Sequence, residues 1–431
     1  MSTRQELPNV CFSCKKGMTG PRYIFEKLQN EDGYSLGDAL GETGVTRMCC
    51  ARHIITDVSV KHEVESELDL DANVRIPVQT ESEVTRVKKT AKIPNIPHLG
   101  GYVPDKILPF KPDTMFITNE TPFREIGKDD LPNPIEWKTR SRVMALVWLL
   151  TKTIDEKGTV KPNGRRVLWL GSGNINITTV KYILDTFPEH FFTLIDWKDV
   201  DKNLLTLQKE RQYRERLVVQ QQLFSDYMAT ELVNSVDVFF SEYVRADTTK
   251  AQYEIQVNTD MRAQLDWYQR IKPQYSLLRL QIPRGGEFRY AQGVAFVPPW
   301  TSPQNNIEYL FLEDISTLKY INYDYKSEQQ RLSYHNRVRR LTAWSHQTVK
   351  ESVGLDHCWD CATESHLLWT FIRSVSRNMM STLVINKVHK MSEMLSRSID
   401  PTGKWTLKTP PNTSEVDMES NQVSKATIGK V

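Results

Sequence analysis

Apolar and polar positions alternate in two registers along this chain, and the change between them divides it into four stretches. From about residue 99 to 395, short apolar runs of strand length alternate with stretches of helical period, the pattern of an α/β domain. Within it, Arg165-Arg-Val-Leu-Trp-Leu predicts a strand running into the turn Gly171-Ser-Gly173, and a helix is expected from Thr178 to Phe187. Phe191-Phe-Thr-Leu-Ile-Asp196 reads as a second strand ending in an acid, and another helix is expected over Thr139 to Thr151. Residues 1 to about 60 are a separate cysteine-bearing module, and about 61–98 are charged and weakly periodic, a linker or an extended arm lying on a partner. Residues 396–431 carry Pro401, Pro410 and Pro411, many Ser and Thr and few large apolar groups, and read as a disordered tail. No internal repeat is present.

Composition narrows the class without naming a function. With 39% hydrophobic and 25% charged residues, the 431-residue chain reads as a globular protein of two or three domains. A net charge of +3 is too mild to imply nucleic-acid binding without a local basic groove. The longest apolar run, Val143 to Leu150, is far short of a membrane span, and the amino terminus has no apolar signal core. The reading is of an intracellular protein with no membrane segment. In that setting six cysteines in two tight groups (Cys11, Cys14, Cys49, Cys50, then Cys358 and Cys361) suggest metal rather than disulfides.

Cys11-Phe-Ser-Cys14 lets two thiolates reach one tetrahedral ion, and Cys49-Cys50 supplies two more if the backbone turns tightly or begins a helix there. So small a module buries too little apolar surface to be comfortably stable alone, and a structural zinc, worth roughly 10 kcal/mol or more, would supply what the core lacks. Four thiolates leave no open coordination position, so the ion would be structural. The order Cys11-Phe-Ser-Cys14-Lys, Gly37-Asp-Ala-Leu40 and Gly44-Val-Thr-Arg47-Met-Cys49-Cys50-Ala-Arg52 closely resembles the tenth-subunit family of DNA-dependent RNA polymerases, subunit N in archaea. The resemblance implies a small helical zinc bundle that docks on the large and assembly subunits of a polymerase. Cellular members end near this point. The further 350 residues suggest a fusion from a large DNA virus, acting in the host cytoplasm at the viral transcription site and carried in the virion.

A glycine turn after one strand, with an acid closing the next, is the nucleotide-binding half of a doubly wound fold. Gly171, Ser172 and Gly173 would admit the ligand to the backbone and Asp196 would accept ribose hydroxyls, unless the turn is only an αβ connection. NAD and S-adenosylmethionine both fit. Asn176 in place of a third glycine weakens a pyrophosphate site and favours S-adenosylmethionine.

Over about residues 130–345, an ordered set of pieces resembles the poxvirus-type cap 2′-O-methyltransferase, also the poly(A) polymerase stimulatory subunit, within the FtsJ-like group. The pieces are Trp169-Leu-Gly171-Ser172, Leu194-Ile-Asp196, Val238-Phe-Phe-Ser241-Glu242-Tyr-Val-Arg245, Tyr275 to Pro283, and Pro299-Trp300 through Asn306-Ile-Glu308-Tyr-Leu-Phe-Leu. The resemblance implies a Rossmann-like methyltransferase-type domain and a Lys-Asp-Lys-Glu set in which one lysine of lowered pKa takes the proton of a ribose 2′-hydroxyl. Carried over, that set is damaged. Glu308 matches the glutamate, and Glu242 replaces the aspartate. The base falls on Arg279, or Leu278 with one residue of slippage, and arginine is a poor base. Lys138 is the lysine nearest the first position, although alignment through Arg140-Ser-Arg142 puts Leu146 there. Two readings follow: an enzyme using a shifted lysine or Glu242, methylating capped RNA on nascent transcripts, or a domain that keeps the fold and RNA or cofactor binding without catalysis. A third is a free-standing cap methyltransferase whose zinc module serves only stability.

Three further signals remain. Cys358-Trp-Asp-Cys361 and His366 have the first three ligands of a zinc-knuckle spacing, with Phe371 at the fourth place and His357 as a stand-in; two thiols near a helix start are the other reading. Arg331 to Trp344 is basic with interleaved aromatics, an RNA contact or a solvated helix face. Pro298-Pro299-Trp300 is a rigid loop near the cleft or a turn in the core.

Overall fold

The computed structural model describes residues 36–43, 96–100, 102–119, 134–154, 164–173, 175–197, 201–243, 250–283, 287–302 and 308–411, with a few isolated positions. The chain divides into two units, Met1–Lys92 with Asn378–Val384, and Ile93–Arg377 with Ile385–Val431. In the first, the sequence Gly37-Asp-Ala-Leu40 lies within helix α1 (Leu36–Glu42), whose Ala39 is buried. The Thr43 hydroxyl closes the helix by donating to the Leu40 carbonyl at 2.6 Å. Cys11, Cys14, Cys49 and Cys50 lie outside the described residues.

The larger unit is built on strands β1 (Ile107–Pro109), β2 (Phe116–Ile117), β3 (Arg166–Leu170), β4 (Phe191–Asp196), β5 (Leu217–Gln221), β6 (Val238–Ser241), β7 (Tyr275–Leu280), β8 (Glu287–Ala291), β9 (Val294–Phe296), β10 (Glu308–Glu313), β11 (Tyr320–Asp324) and β12 (Ala343–Ser345). Its helices are α2 (Lys138–Thr151), α3 (Ile177–Thr186), α4 (Lys202–Leu207), α5 (Asp226–Glu231), α6 (Lys250–Ile271), α7 (Tyr325–Tyr334), α8 (Trp359–Val375) and, from Ile385 onward, α9 (Ser381–Ile399). Eight strands form one sheet in the order β2-β9-β10-β7-β6-β3-β4-β5. Strands β5, β4, β3, β6 and β7 run parallel. Strand β10 is antiparallel to both β7 and β9, so one reversed strand sits between two that run the same way. This is an α/β, Rossmann-like, methyltransferase-type sheet, as expected. Two small sheets, β1 with β12 and β8 with β11, complete it.

Burial follows position in the sheet. Val167 to Leu170 of β3 and every residue of β6 are buried, because a central parallel strand is covered on both faces. Strand β5 at the edge alternates buried and exposed at its start. Helix α2 is buried from Val143 through Leu150, which is why its apolar residues show no stripe. Among the described residues no helix is long and apolar enough to cross a membrane.

Chain structure continues past the expected start of the tail. Helix α9 runs to Ile399, Asp400 and Leu407 are buried, and the described residues extend to Pro411. The Asp400 carboxylate organises this stretch by accepting the N–H groups of Thr402 at 3.0 Å and Trp405 at 2.6 Å. Composition hid this because the turn is built from polar side chains that bond to backbone.

Candidate functional site

Strand order reverses at β3, which has β4 on one side and β6 on the other. In doubly wound sheets ligands bind beyond the carboxyl ends of the strands at such a point. The turn Gly171 to Gly173 leaves β3 there. Gly171 has φ +76°, and a Cβ on it would stand 2.8 Å from the backbone of Glu242, so glycine is required by conformation and by close approach together. The same contact brings the glycine turn against the end of β6, where Glu242 N–H donates to the Leu170 carbonyl at 2.9 Å.

Lys138, Glu242 and Arg279, taken from three separate parts of the sequence, line one pocket of about 170 Å³ with Glu136, Ser141, Arg142, Tyr253, Thr301, Ser302 and Tyr309. Lys138 stands at the first residue of α2 and Glu242 directly follows β6. The Arg142 Nε lies 2.8 Å from Glu242 Oε2, and its Nη1 donates to the Gly173 carbonyl at 3.2 Å. Arg142 therefore ties the glycine turn to the carboxylate. Leu146, the alternative to Lys138, is fully buried in the core.

Arg279 on β7 stands opposite Tyr309 on β10 in the antiparallel ladder, so the two residues share a face. Glu308 stands opposite Leu280 in the same ladder, and Tyr309 lines the pocket. The Tyr309 hydroxyl donates a short hydrogen bond to Glu242 Oε1. Burial first, and the Glu242 charge second, hold the Tyr309 hydroxyl well above the usual phenol range, so it stays a neutral donor. The Lys138 pKa is lowered, chiefly by the Arg142 cation and next by burial, with Glu242 opposing. Burial also lowers the Arg279 pKa, though a guanidinium starts so high that it keeps its charge. Arg279 Nε finds no acceptor among the described residues, and its Nη2 reaches Gln281 Oε1 only at 3.5 Å. Three cations against two carboxylates, with guanidinium donors to spare, make a pocket suited to an anion.

Two of the expected adenosine-binding positions bond one another. Asp196, 6% exposed, accepts the Gly173 N–H at 2.5 Å, and a Cβ on Gly173 would lie 2.6 Å from the same oxygen. Ser172 is buried beside it. Asn176 caps α3, its Oδ1 accepting the Thr179 N–H at 2.8 Å and its Nδ2 donating to the Ile399 carbonyl at 2.7 Å, so that helix start is closed to a phosphate. The Asp196 carboxylate can accept further hydrogen bonds beside the one from the Gly173 N–H, so Gly171, Ser172, Gly173 and Asp196 remain the residues that would hold an adenosine group.

The loop over the pocket is set by Trp300, fully buried at φ +65°, a conformation rare for a bulky side chain. Its N–H donates to Asp360 Oδ1 at 2.7 Å, its Nε1 to Glu364 Oε2 at 2.8 Å, and its carbonyl accepts the Trp137 N–H at 2.8 Å. The Pro298-Pro299-Trp300 segment is thus a core anchor that presents Thr301 and Ser302 to the pocket. In the basic run 331–344, three arginines are engaged by groups of the protein itself. Arg340 is fully buried on Asp360 and the Thr301 carbonyl, Arg339 donates to the carbonyls of Thr114 and Phe116, and Arg331 pairs with Glu328. The larger cavity, about 620 Å³, opens at the amino-terminal ends of β3 and β4, the end of the sheet away from the switch point. Arg142 and Tyr309 are among the pocket residues that sequence reasoning did not assign to the site. Arg142 was visible as the helical neighbour four residues after Lys138.

A comparison with curated proteins found no match. Among solved structures, the chain is similar to bluetongue virus VP4, described as a multifunctional RNA-capping production line, at 12% identity over 58% of this chain, with a TM-score of 0.32. The chain spans 40% of that protein's length. It is also similar to human methyltransferase-like protein 13 in complex with SAH, at 15% identity over 49% of this chain and 96% of that one, with a TM-score of 0.25. At the amino terminus, residues 7–64 match the family of RNA polymerases N / 8 kDa subunit.

Proposed function

We propose that this chain is a subunit of a DNA-dependent RNA polymerase whose methyltransferase-type unit holds RNA through a phosphate at the Lys138–Arg142–Arg279 pocket and does not transfer methyl groups. The observation that carries the polymerase role is the match of residues 7–64 to the subunit N family. Cys11, Cys14, Cys49 and Cys50 are the residues of that segment suited to a structural zinc, and the docking partners would be the large and assembly subunits. Loss of methyl transfer is supported by Arg279 where the cap 2′-O-methyltransferase resemblance asks for a proton-accepting lysine. Tethered to a polymerase at a viral transcription site in the host cytoplasm, even a weak RNA pocket would fill, because linkage raises the local concentration of nascent transcript.

A second reading has its own observation. Lys138 has a lowered pKa beside Glu242, which suits a general base. Both are tested by incubating the zinc-loaded full chain and its polymerase with labelled S-adenosylmethionine and RNA bearing a cap with an unmethylated first ribose. Absence of transfer, with RNA binding whose salt dependence falls by about one unit in slope for Lys138→Ala and again for Arg279→Ala, is the expected result. Transfer that is abolished by Lys138→Ala would replace the binding role with cap 2′-O-methylation. Failure to copurify with the large polymerase subunits would remove the polymerase role.

A further inference from the structure

The cysteine pair that the fold places at the start of α8 meets a histidine from the far end of the unit. His98, Asp356, Cys358 and Cys361 offer ligand atoms that all lie within 4.8 Å of one another. His98 Nδ1 stands 3.3 Å from Cys361 Sγ, 3.7 Å from Cys358 Sγ and 2.8 Å from Asp356 Oδ2. With metal bonds of about 2.3 Å to sulfur and about 2.0 Å to nitrogen, the S···N edge of a tetrahedral zinc site is about 3.5 Å, between the two S···N distances seen here. Neither histidine suggested by local spacing takes part: His357 Nδ1 bonds the Trp344 carbonyl, and the His366 ring packs on Phe110.

The surroundings select a cation. His98 Nε2 lies 2.5 Å from the Leu407 carbonyl, which can only accept, so the imidazole carries its proton there and turns the Nδ1 lone pair toward the cluster. Asp356 Oδ2 faces that lone pair and is itself only an acceptor. Two acceptors at 2.8 Å need a proton or a metal ion between them. Asp356 is held in place by the N–H groups of His98 at 3.1 Å and Cys358 at 2.8 Å, and the Cys361 N–H donates to Cys358 Sγ at 3.2 Å. Cys358 is the N-cap of the 17-residue helix α8, which places both sulfurs at its first turn. His98 is 5% exposed, and both cysteines are buried in a small apolar cluster with Leu99, Trp300, Leu355 and Leu407.

We infer that His98, Asp356, Cys358 and Cys361 form a second zinc site, separate from the four amino-terminal cysteines. Four protein ligands in buried surroundings leave no position for a substrate, so its role is structural. It staples the segment entering the larger unit at His98 and the segment leaving it at Leu407 to the first turn of α8, where α8 also supplies Asp360 and Glu364 to the Trp300 loop over the pocket.

The test is zinc content by mass spectrometry of the purified full chain, with Cys358→Ser/Cys361→Ser and Cys49→Ser/Cys50→Ser as separate variants. The first pair is expected to lose one zinc equivalent that the second pair retains. His98→Cys, which keeps four ligands, is expected to retain that equivalent, and His98→Ala to lose it. Wild-type zinc content unchanged by Cys358→Ser/Cys361→Ser would overturn the proposal. Because the Cys358→Ser/Cys361→Ser variant could misfold, native mass measurement of the Cys49→Ser/Cys50→Ser chain, which keeps all four proposed ligands, provides an independent arm. One zinc bound per chain in the Cys49→Ser/Cys50→Ser protein supports the site. No zinc there, or a mass two hydrogens lower from a Cys358–Cys361 disulfide, refutes it.

Discussion

The guanidinium of Arg140 forks onto the carboxylate of Glu364, with Nε to Oε2 and Nη2 to Oε1 both at 2.6 Å, and neither side chain is exposed. Ser392 Oγ donates to the same carboxylate at 2.7 Å, and Arg140 donates to Ser392 and Ser396, so the pair locks α2 to α8 and α9. Breaking a buried pair strands a charge. Arg140→Leu or Glu364→Leu alone should therefore cost about 3–5 kcal/mol in denaturant unfolding. The double variant should cost less than the sum of the two, because no charge is left behind. Simple additivity would show that the pair is not coupled.

Lys138 should behave as a lysine of unusual reactivity. Its pKa is lowered first by Arg142, so its amine should be acylated faster near pH 8 than other exposed lysines such as Lys202. Arg142→Leu removes that cation and frees Glu242 from its ion pair, and both changes raise the Lys138 pKa. Labelling at Lys138, read by peptide mass spectrometry across pH, should shift to higher pH in the variant. An unchanged profile would mean that Arg142 does not control the amine.

His190 gives the fold an acid-sensitive point. It is 1% exposed, neither ring nitrogen has a hydrogen-bond partner among the described residues, and burial, then Arg165 and Arg216, lower its pKa to about 4. The unfolded chain binds a proton near pH 6.5 that the folded chain refuses until about pH 4. Stability should therefore be intact above pH 6.5 and fall as pH drops through that window, by roughly 3 kcal/mol from this group. His190→Leu should lose less stability between pH 7 and pH 4.5 than the wild-type protein does. Identical acid limbs would assign the sensitivity to other groups.

Gly171→Ala should be costly although alanine is small. The left-handed conformation costs about 1–2 kcal/mol, and the added Cβ meets backbone of Glu242 and Tyr243 that belongs to the sheet end and cannot rotate away. A loss of at least about 2 kcal/mol is expected in denaturant unfolding, with altered Lys138 labelling because Glu242 must move. A neutral substitution would show that the turn can relax.

By itself the sequence determined what depends on near neighbours and on period. The apolar run ending at Leu170, the glycines after it and the acid closing β4 specified a strand, turn and strand, because local backbone chemistry allows little else. Lys138, Glu242 and Arg279 were identifiable one by one from an ordered resemblance, and the sheet brings them into one pocket. Tertiary structure decided what each is surrounded by. Asp196, read as a ribose ligand, bonds Gly173, because β3 and β4 pair directly and their ends touch. Tyr309 lines the pocket, because antiparallel register places it across from Arg279. The basic residues Arg339 and Arg340 point inward, since charge along a sequence says nothing of which face is buried. His98 could not be paired with Cys361 from spacing at all. Their separation of 263 positions is closed by the packing of the whole unit, and only that packing puts an imidazole within 3.3 Å of a thiol.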